Sequence, residues 1–275
     1  MLMKSKVIRQ SYIYLFLIVF MVFALFPLVW GVSMSFKTSE DMNKARWIPT
    51  HFTLENYYRI IFEYKPFFRG MLNSIIVASL STILSTFLAL LGGYGFSRFK
   101  FTGSKVLFSV TLGAQYLPEV ALVVPFFILA SRLRLLDTRL GLIIYFVAIS
   151  VPFAIWLFTC HLAGIPLEVE EAAMIDGCSY FQVLYKIVFP IILPGIFVTM
   201  ILVFLSVWQA YLIPLFFTET IKSKTVPIII QDLQTQADFS VGRILAGTVL
   251  FCLPIIFAFL VSSENFMRGI EITSK

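Results

Sequence analysis

The stretch EEAAMIDGCSYFQVLYKIVFP, Glu170 to Pro190, is a polar, helix-patterned island in a chain that is otherwise apolar. Its punctuation predicts two short helices joined at a sharp corner. Pro166 suits a first helical turn, where its missing N–H costs nothing. Glu168, Glu170 and Glu171 then place negative charge near the positive end of the helix dipole. Gly177 stands where that helix should stop, as a residue free to take a left-handed backbone. Ser179 and Gln182 have the spacing of a capping box that starts a second helix, and Pro190 marks its end or a kink into the run beyond. Ala172 and Ala173 are small enough to let another surface approach closely. Composition leaves two readings of the island open, an ordinary well-capped loop or a docking knob for a partner.

Outward from the island the chain turns apolar. Of 275 residues, 59% are hydrophobic and only 13% charged, and mean hydropathy is +0.92. A soluble domain typically carries about 25% charged residues, so the bilayer must be the solvent for most of this chain. Crossing it takes roughly 20 apolar residues in a helix. Six segments qualify, at about 12–34, 71–97, 106–130, 140–162, 191–217 and 244–263. The expected fold class is an all-α integral membrane protein of six transmembrane helices. One membrane domain over 1–275, without an appended soluble domain, is expected. The first run follows Lys4, Lys6 and Arg9 but is longer than the ~7–15 residues of a signal-peptide core, so it reads as an uncleaved span. Pro27, Pro118, Pro125, Pro152, Pro214 and Pro254 lie inside spans, and Gly92, Gly93 and Gly95 cluster in the second. A bundle tolerates both where helices pack closely and neighbours satisfy freed backbone.

Several chemistries are disfavoured. The net charge of +6 is scattered through polar gaps and forms no stripe with interleaved aromatics, which argues against nucleic acid; some basic residues suit lipid headgroups instead. Cys160, Cys178 and Cys252 have no metal-ligand spacing and read as structural thiols, and His51 and His161 supply no cluster, so no metal site is expected. The TGSK at Thr102–Lys105 lacks the spacing of a phosphate loop, and no nucleophile–base–orienter set is visible, so no catalytic residue is expected. An even span count puts both termini on one side. Lys4, Lys6 and Arg9, with the acid-free run of Arg98, Lys100 and Lys105, argue that this side is the cytoplasm. With it inside, however, nine Lys and Arg fall inside and twelve outside, so the charge rule alone supports that orientation only weakly.

The order Glu171-Ala172-Ala173, three residues, Gly177, nine residues, Ile187, two residues, Pro190 resembles the EAA loop of ABC importer permeases. Phe189 stands where that pattern usually has leucine, and Cys178 where alanine is frequent. The resemblance extends over nearly the whole chain and is to the six-span, maltose-transporter-type permeases of carbohydrate importers. NSIIVASLSTILSTFLALLGGYGFSRFKFTG from Asn73, LPEVALVVPFF, RLLDTRLGLII, TVPIII and FMRGI resemble its successive spans and loops. The tail GIEITSK departs from the family's small-residue, glycine-rich end. The resemblance implies a bacterial cytoplasmic-membrane protein with both termini cytoplasmic and a coupling-helix loop, 163–190, between the fourth and fifth spans. It implies docking of an ATPase subunit at Glu170, Glu171, Ala172, Ala173, Asp176 and Gly177. The implied partners are a homologous second permease, two ATPase subunits and an extracytoplasmic solute-binding protein, set in membrane lipid. ATP and Mg would be bound by the ATPases, with no cofactor on this chain.

Two further features are candidates for the solute pathway. Glu119, beside Pro118 and four residues after Gln115, is an acid inside a span, a functional-site signal by default. It lines the pathway or bonds the partner permease, or it satisfies backbone freed by the proline. WQAYLIPL, Trp208 to Leu215, occupies the place of a family stretch that usually reads W-N-D/E-[FY]-L-x-P. Trp208, Gln209 and Tyr211 suit sugar faces and hydroxyls, or else helix packing and an interfacial belt. The alternative functions are a stand-alone secondary transporter or channel, which should show inverted repeats or several intramembrane ionisable groups, and a membrane enzyme or assembly factor, which should show a catalytic cluster.

Overall fold

The computed structural model of the chain describes residues 2–42, 51–235 and 240–273, and side chains among these except at 2–9, 11, 39 and 261–273. The basic residues Lys4, Lys6 and Arg9, the FMRGI segment and the GIEITSK tail therefore lie outside the described side chains. Among the described residues every regular element is a helix. In chain order the longer ones are α1 (Leu2–Ser35), α2 (Lys65–Arg98), α3 (Ser104–Gly113), α4 (Glu119–Arg132), α5 (Arg139–Ala163), α6 (Leu167–Ile175), α7 (Tyr180–Trp208), α8 (Leu212–Phe217), α9 (Val226–Gln234) and α10 (Val241–Thr273).

The expected spans at 12–34, 71–97, 140–162 and 244–263 are present as the unbroken helices α1, α2, α5 and α10. The other two differ from a simple rod. The segment expected as one span over 106–130 is two half-helices, α3 and α4, bent by 101°. The cause is local: Leu117 and Pro118 are extended, because a proline disfavours helical backbone in the residue before it. The expected fifth span over 191–217 also breaks, at 209–211 between α7 and α8. Irregular backbone at membrane depth survives only where protein buries it or where it lines a cavity.

Among the described residues two single turns are wound more loosely than α. Arg59–Glu63 and Leu184–Val188 are π turns, each followed shortly by a proline, Pro66 and Pro190. In the second, the Pro190 ring would crowd the Lys186 carbonyl four residues back, and the wider turn relieves that crowding; the first ends at Tyr64, which leaves helical backbone before Pro66. Pro190 is thus absorbed into a helix that runs unbroken through it.

The chain divides into two compact units. In Met1–Phe68 with Ile230–Leu253, the segment after α1 is fastened by Asn56, whose amide donates to the carbonyls of Ser35 and Lys37, both at 2.9 Å. Gly242 and Gly247 give room to Asn56 and Ile60, which a Cβ would meet at 2.6 and 2.7 Å. The apolar window of α1 has none of its residues buried in the chain, so lipid or another chain must cover it.

In Arg69–Ile229 with Pro254–Lys275, the core is formed by α5, α7 and α2. Leu142, Phe158, Leu162, Val188 and Val203 are buried there. Gly92 and Gly93 let α2 approach α5 so closely that a Cβ at Gly93 would lie 2.7 Å from Cβ of Phe158. Helices in lipid gain little from apolar contact as such, so this close backbone approach is a main source of their association.

Candidate functional site

The island of the sequence forms the corner its punctuation predicts. Helix α6 ends at a left-handed Gly177, φ +90°. The Cys178 N–H donates to the Ala173 carbonyl and the Gly177 N–H to that of Met174, both at 3.0 Å. This is the Schellman arrangement, which satisfies carbonyls a helix end would otherwise leave orphaned. Ser179 and Gln182 then form a reciprocal capping box, with the Ser179 N–H donating to the Gln182 side chain at 2.8 Å. Pro166 is the cap of α6, one residue before the first-turn position expected of it. Around the corner Glu171, Ala172, Asp176 and Gly177 are exposed and Ala173 is half-buried. Ile175 at 86% and Phe181 at 77% exposure stand out from it. The corner therefore carries an exposed apolar tip flanked by polar residues.

Glu170 departs from the docking set in which the sequence placed it. It is buried, 3% exposed, because it faces the body of the chain and not the knob's outer side. Its carboxylate accepts from Arg98 Nε at 2.7 Å and from the Tyr94 hydroxyl at 2.9 Å. Arg98 also donates to the carbonyls of Leu162 and Ile165, at 3.0 and 3.1 Å, and so caps the end of α5. No spacing rule singled out Arg98 or Tyr94; the only hint was a basic residue in the last turn of a span, where cations suit the dipole.

A cavity of about 560 Å³ lies where both broken helices meet α5. Its wall includes Gln115, Leu117 and Glu119 from the first break, Gln209, Ala210 and Tyr211 from the second, and Tyr145, Ser150 and Pro152 from α5. The size falls in the roughly 300–1,000 Å³ range of small-molecule sites. Ser150 is roughly 17 Å along α5 from its start, near mid-span. The structure therefore brings together three of the four pathway candidates, Glu119, Gln209 and Tyr211. Trp208 is not among the lining residues: it is 1% exposed and stacks on Phe204 at 5.4 Å, which makes it packing. Tyr145, Ser150 and Ser206 were missed, since a lone Tyr or Ser in an apolar run carries no periodic signal. The Tyr145 hydroxyl is buried with no hydrogen-bond partner among the described residues, an acceptor-seeking group in the wall.

A polar clamp sits at the opposite end of α5 from the corner, roughly 37 Å away along that helix. Asp137, left-handed at φ 57°, accepts from the N–H groups of Glu219 and Thr220, both at 2.9 Å, and from the hydroxyls of Thr220 and Ser223. Burial works to raise the Asp137 carboxyl, but the hydrogen bonds from Ser223, Thr220 and the backbone outweigh it and hold it at about 2. From the other side the Asn73 amide donates to the carbonyls of Ile221 and Lys224, at 3.2 and 2.8 Å, and the Ser74 hydroxyl accepts from the Val226 N–H. The 219–226 loop is held on both flanks.

The profile of a known family, described as binding-protein-dependent transport system inner membrane component, matches residues 82–271. The chain is 30% identical over 250 residues to the trehalose transport system permease protein SugB of Mycobacterium tuberculosis, covering 90% of this chain and 91% of that one. It is 28% identical over 270 residues to the trehalose/maltose transport system permease protein MalG of Thermococcus litoralis, covering 98% and 97%. Its fold matches a chain from the crystal structure of a bacterial ABC transporter involved in the import of the acidic polysaccharide alginate. There the TM-score is 0.83 at 22% identity, covering 95% of this chain and 98% of that one.

Proposed function

The chain belongs to the family of binding-protein-dependent transport system inner membrane components, the permease subunits of ABC importers, and from that premise we propose that it carries a carbohydrate across the cytoplasmic membrane of a bacterium. It does so as one of a pair of permeases, with two ATPase subunits that bind ATP and Mg and an extracytoplasmic binding protein that delivers the sugar. Both termini and the α6 corner are cytoplasmic, and the Asp137 clamp faces outward.

The observation that carries the reading is the exposed corner. Glu171, Ala172 and Ala173 present a charged and then a flat face, Ile175 an apolar tip, and Gly177 sets the angle to α7. Such a knob seats in a groove on an ATPase, the alanines allowing close approach and Glu171 pairing with a basic residue. Closure of the ATPase pair on ATP then drives the two corners together and rocks the spans. The sugar assignment is supported by the named relatives and by the cavity, where Tyr211, Gln209 and the hydroxyls of Tyr145 and Ser150 suit a polyol. Glu119 is the acid in that wall, at the start of α4.

Reconstitution of the chain with its partner permease, ATPases and binding protein in proteoliposomes tests this. Trehalose and maltose on the binding protein should stimulate ATP hydrolysis and appear in the lumen. Glu171→Lys should abolish both while the spans remain inserted. Sugar uptake that persists without the ATPases would refute the reading in favour of a stand-alone carrier.

A further inference from the structure

Helix α6 has nine residues, about 14 Å of helix, and its covalent neighbours are α5 and α7. Motion imposed on it reaches those two helices through the backbone. The second span, α2, is far away in sequence, and it reaches α6 by side chains. Among the described residues Glu170 is the one α6 side chain that makes a hydrogen bond or ion pair with another span, and both its partners, Tyr94 and Arg98, lie in the last two turns of α2.

Deepening the proposed function and resting on it, we propose that Arg98, Glu170 and Tyr94 form the joint that passes the stroke of the coupling helix into α2. They are positioning residues for transport and touch neither ATPase nor sugar. Three features make this contact a joint. Its charges are taken out of water, with the Arg98 side chain 9% and the Glu170 side chain 4% exposed, so separating them would strand a buried charge. It is multivalent: the same guanidinium holds the Leu162 and Ile165 carbonyls at the end of α5, so three helix termini are pinned at one point. It is also aligned with the backbone, since Glu170 lies at the positive end of α6 and Arg98 at the negative end of α2. Aromatic contacts run alongside, from Tyr94 to Phe99 and from Phe99 to Tyr180 at the start of α7, at 6.1 and 5.6 Å.

The test compares Glu170→Gln, Arg98→Lys, Tyr94→Phe and the exchanged pair Arg98→Glu with Glu170→Arg in the reconstituted transporter. Sugar transported per ATP hydrolysed is the readout. Glu170→Gln should keep the ATPases bound and hydrolysing, yet lower transport per ATP on the order of tenfold, within the usual range of coupling between sites. Tyr94→Phe, which leaves the ion pair intact, should lower it about two- to threefold, and Arg98→Lys, which keeps charge but loses the fork, should fall between these. The exchanged pair should recover more than either of its single changes. An unchanged ratio in both Glu170→Gln and Tyr94→Phe overturns the proposal. If Glu170→Gln fails to assemble, Tyr94→Phe decides by the same ratio. Failure of the underlying reading is distinct, since the wild-type complex itself would then show no sugar-stimulated hydrolysis.

Discussion

Gly177 offers a test in which two competing costs can be set side by side. Its φ of +90° costs a residue with a Cβ about 1–2 kcal/mol. A Cβ there meets nothing within 4 Å, so the penalty is backbone conformation alone. The alternative is to abandon the left-handed shape and lose the two Schellman hydrogen bonds, at about 0.5–1.5 kcal/mol each. For Gly177→Ala the strain of about 1–2 kcal/mol does not exceed the roughly 1–3 kcal/mol held in the two bonds, so the corner mostly keeps its shape in both free and docked states and the strain cancels. Docking should then change by only a few-fold, although the corner is less stable. For Gly177→Val the left-handed region is closed to a β-branched residue, so the free corner unwinds and docking must rebuild it. An excess of about 1.4 kcal/mol already means tenfold weaker binding, so a loss of at least that order is expected. Gly177→Asn, which tolerates this region, should resemble wild type. The assay is titration of ATPase subunits onto the permease pair in nanodiscs, followed by uptake in proteoliposomes. Wild-type affinity and uptake in Gly177→Val, or an Asn variant as poor as Val, would refute the reasoning.

Other expectations concern the remaining elements. Asp137→Asn should lower the stability of the solubilised protein by roughly 1–3 kcal/mol, read as a fall in Tm. Because the folded carboxyl titrates low, at about 2, its contribution is full above the unfolded value of about 3.9 and is lost as pH falls through about 2. The Asn variant should lack that acid-dependent decline. Gly93→Val should overpack the α2–α5 contact by about 1–3 kcal/mol, seen as lower yield and Tm with transport lost in proportion. Trp208→Ala should cost about 3–5 kcal/mol in stability, whereas Gln209→Ala and Tyr211→Ala should leave Tm within about 0.5 kcal/mol and reduce uptake. If Trp208→Ala instead keeps its Tm and loses only uptake, its assignment to packing is wrong.

The parts legible in the sequence were those with a local physical code. Gly177, Ser179 and Gln182 announce a corner because helix ends have a fixed number of orphan groups to satisfy, and the structure has the bonds that code predicts. Spans were legible as long apolar runs. Hydropathy could not show that 106–130 and 191–217 are broken, since apolar residues line a break as readily as a rod. Glu170 and Glu171 look alike in sequence, and about 100° of rotation around a helix separates an inward-facing acid from an exposed one. Only the partners Arg98 and Tyr94, more than seventy residues upstream, decide which is which. Tyr145 and Trp208 exchange expectations for the same reason: each is an aromatic in a greasy run, and what it faces is set by neighbours far away in the chain.

The loose turn at Leu184–Val188 has a consequence for how the two ends of α7 are phased. A π turn holds one residue more than the α turn it replaces, and one residue corresponds to roughly 100° of azimuth about the helix axis. The corner is therefore clocked about a quarter revolution from where an uninterrupted helix would aim it. Deleting a single residue there would point the knob at the wrong compass bearing and restore the crowding that Pro190 imposes. The handle's direction thus depends on a length, counted in residues, as well as on the side chains that hold it.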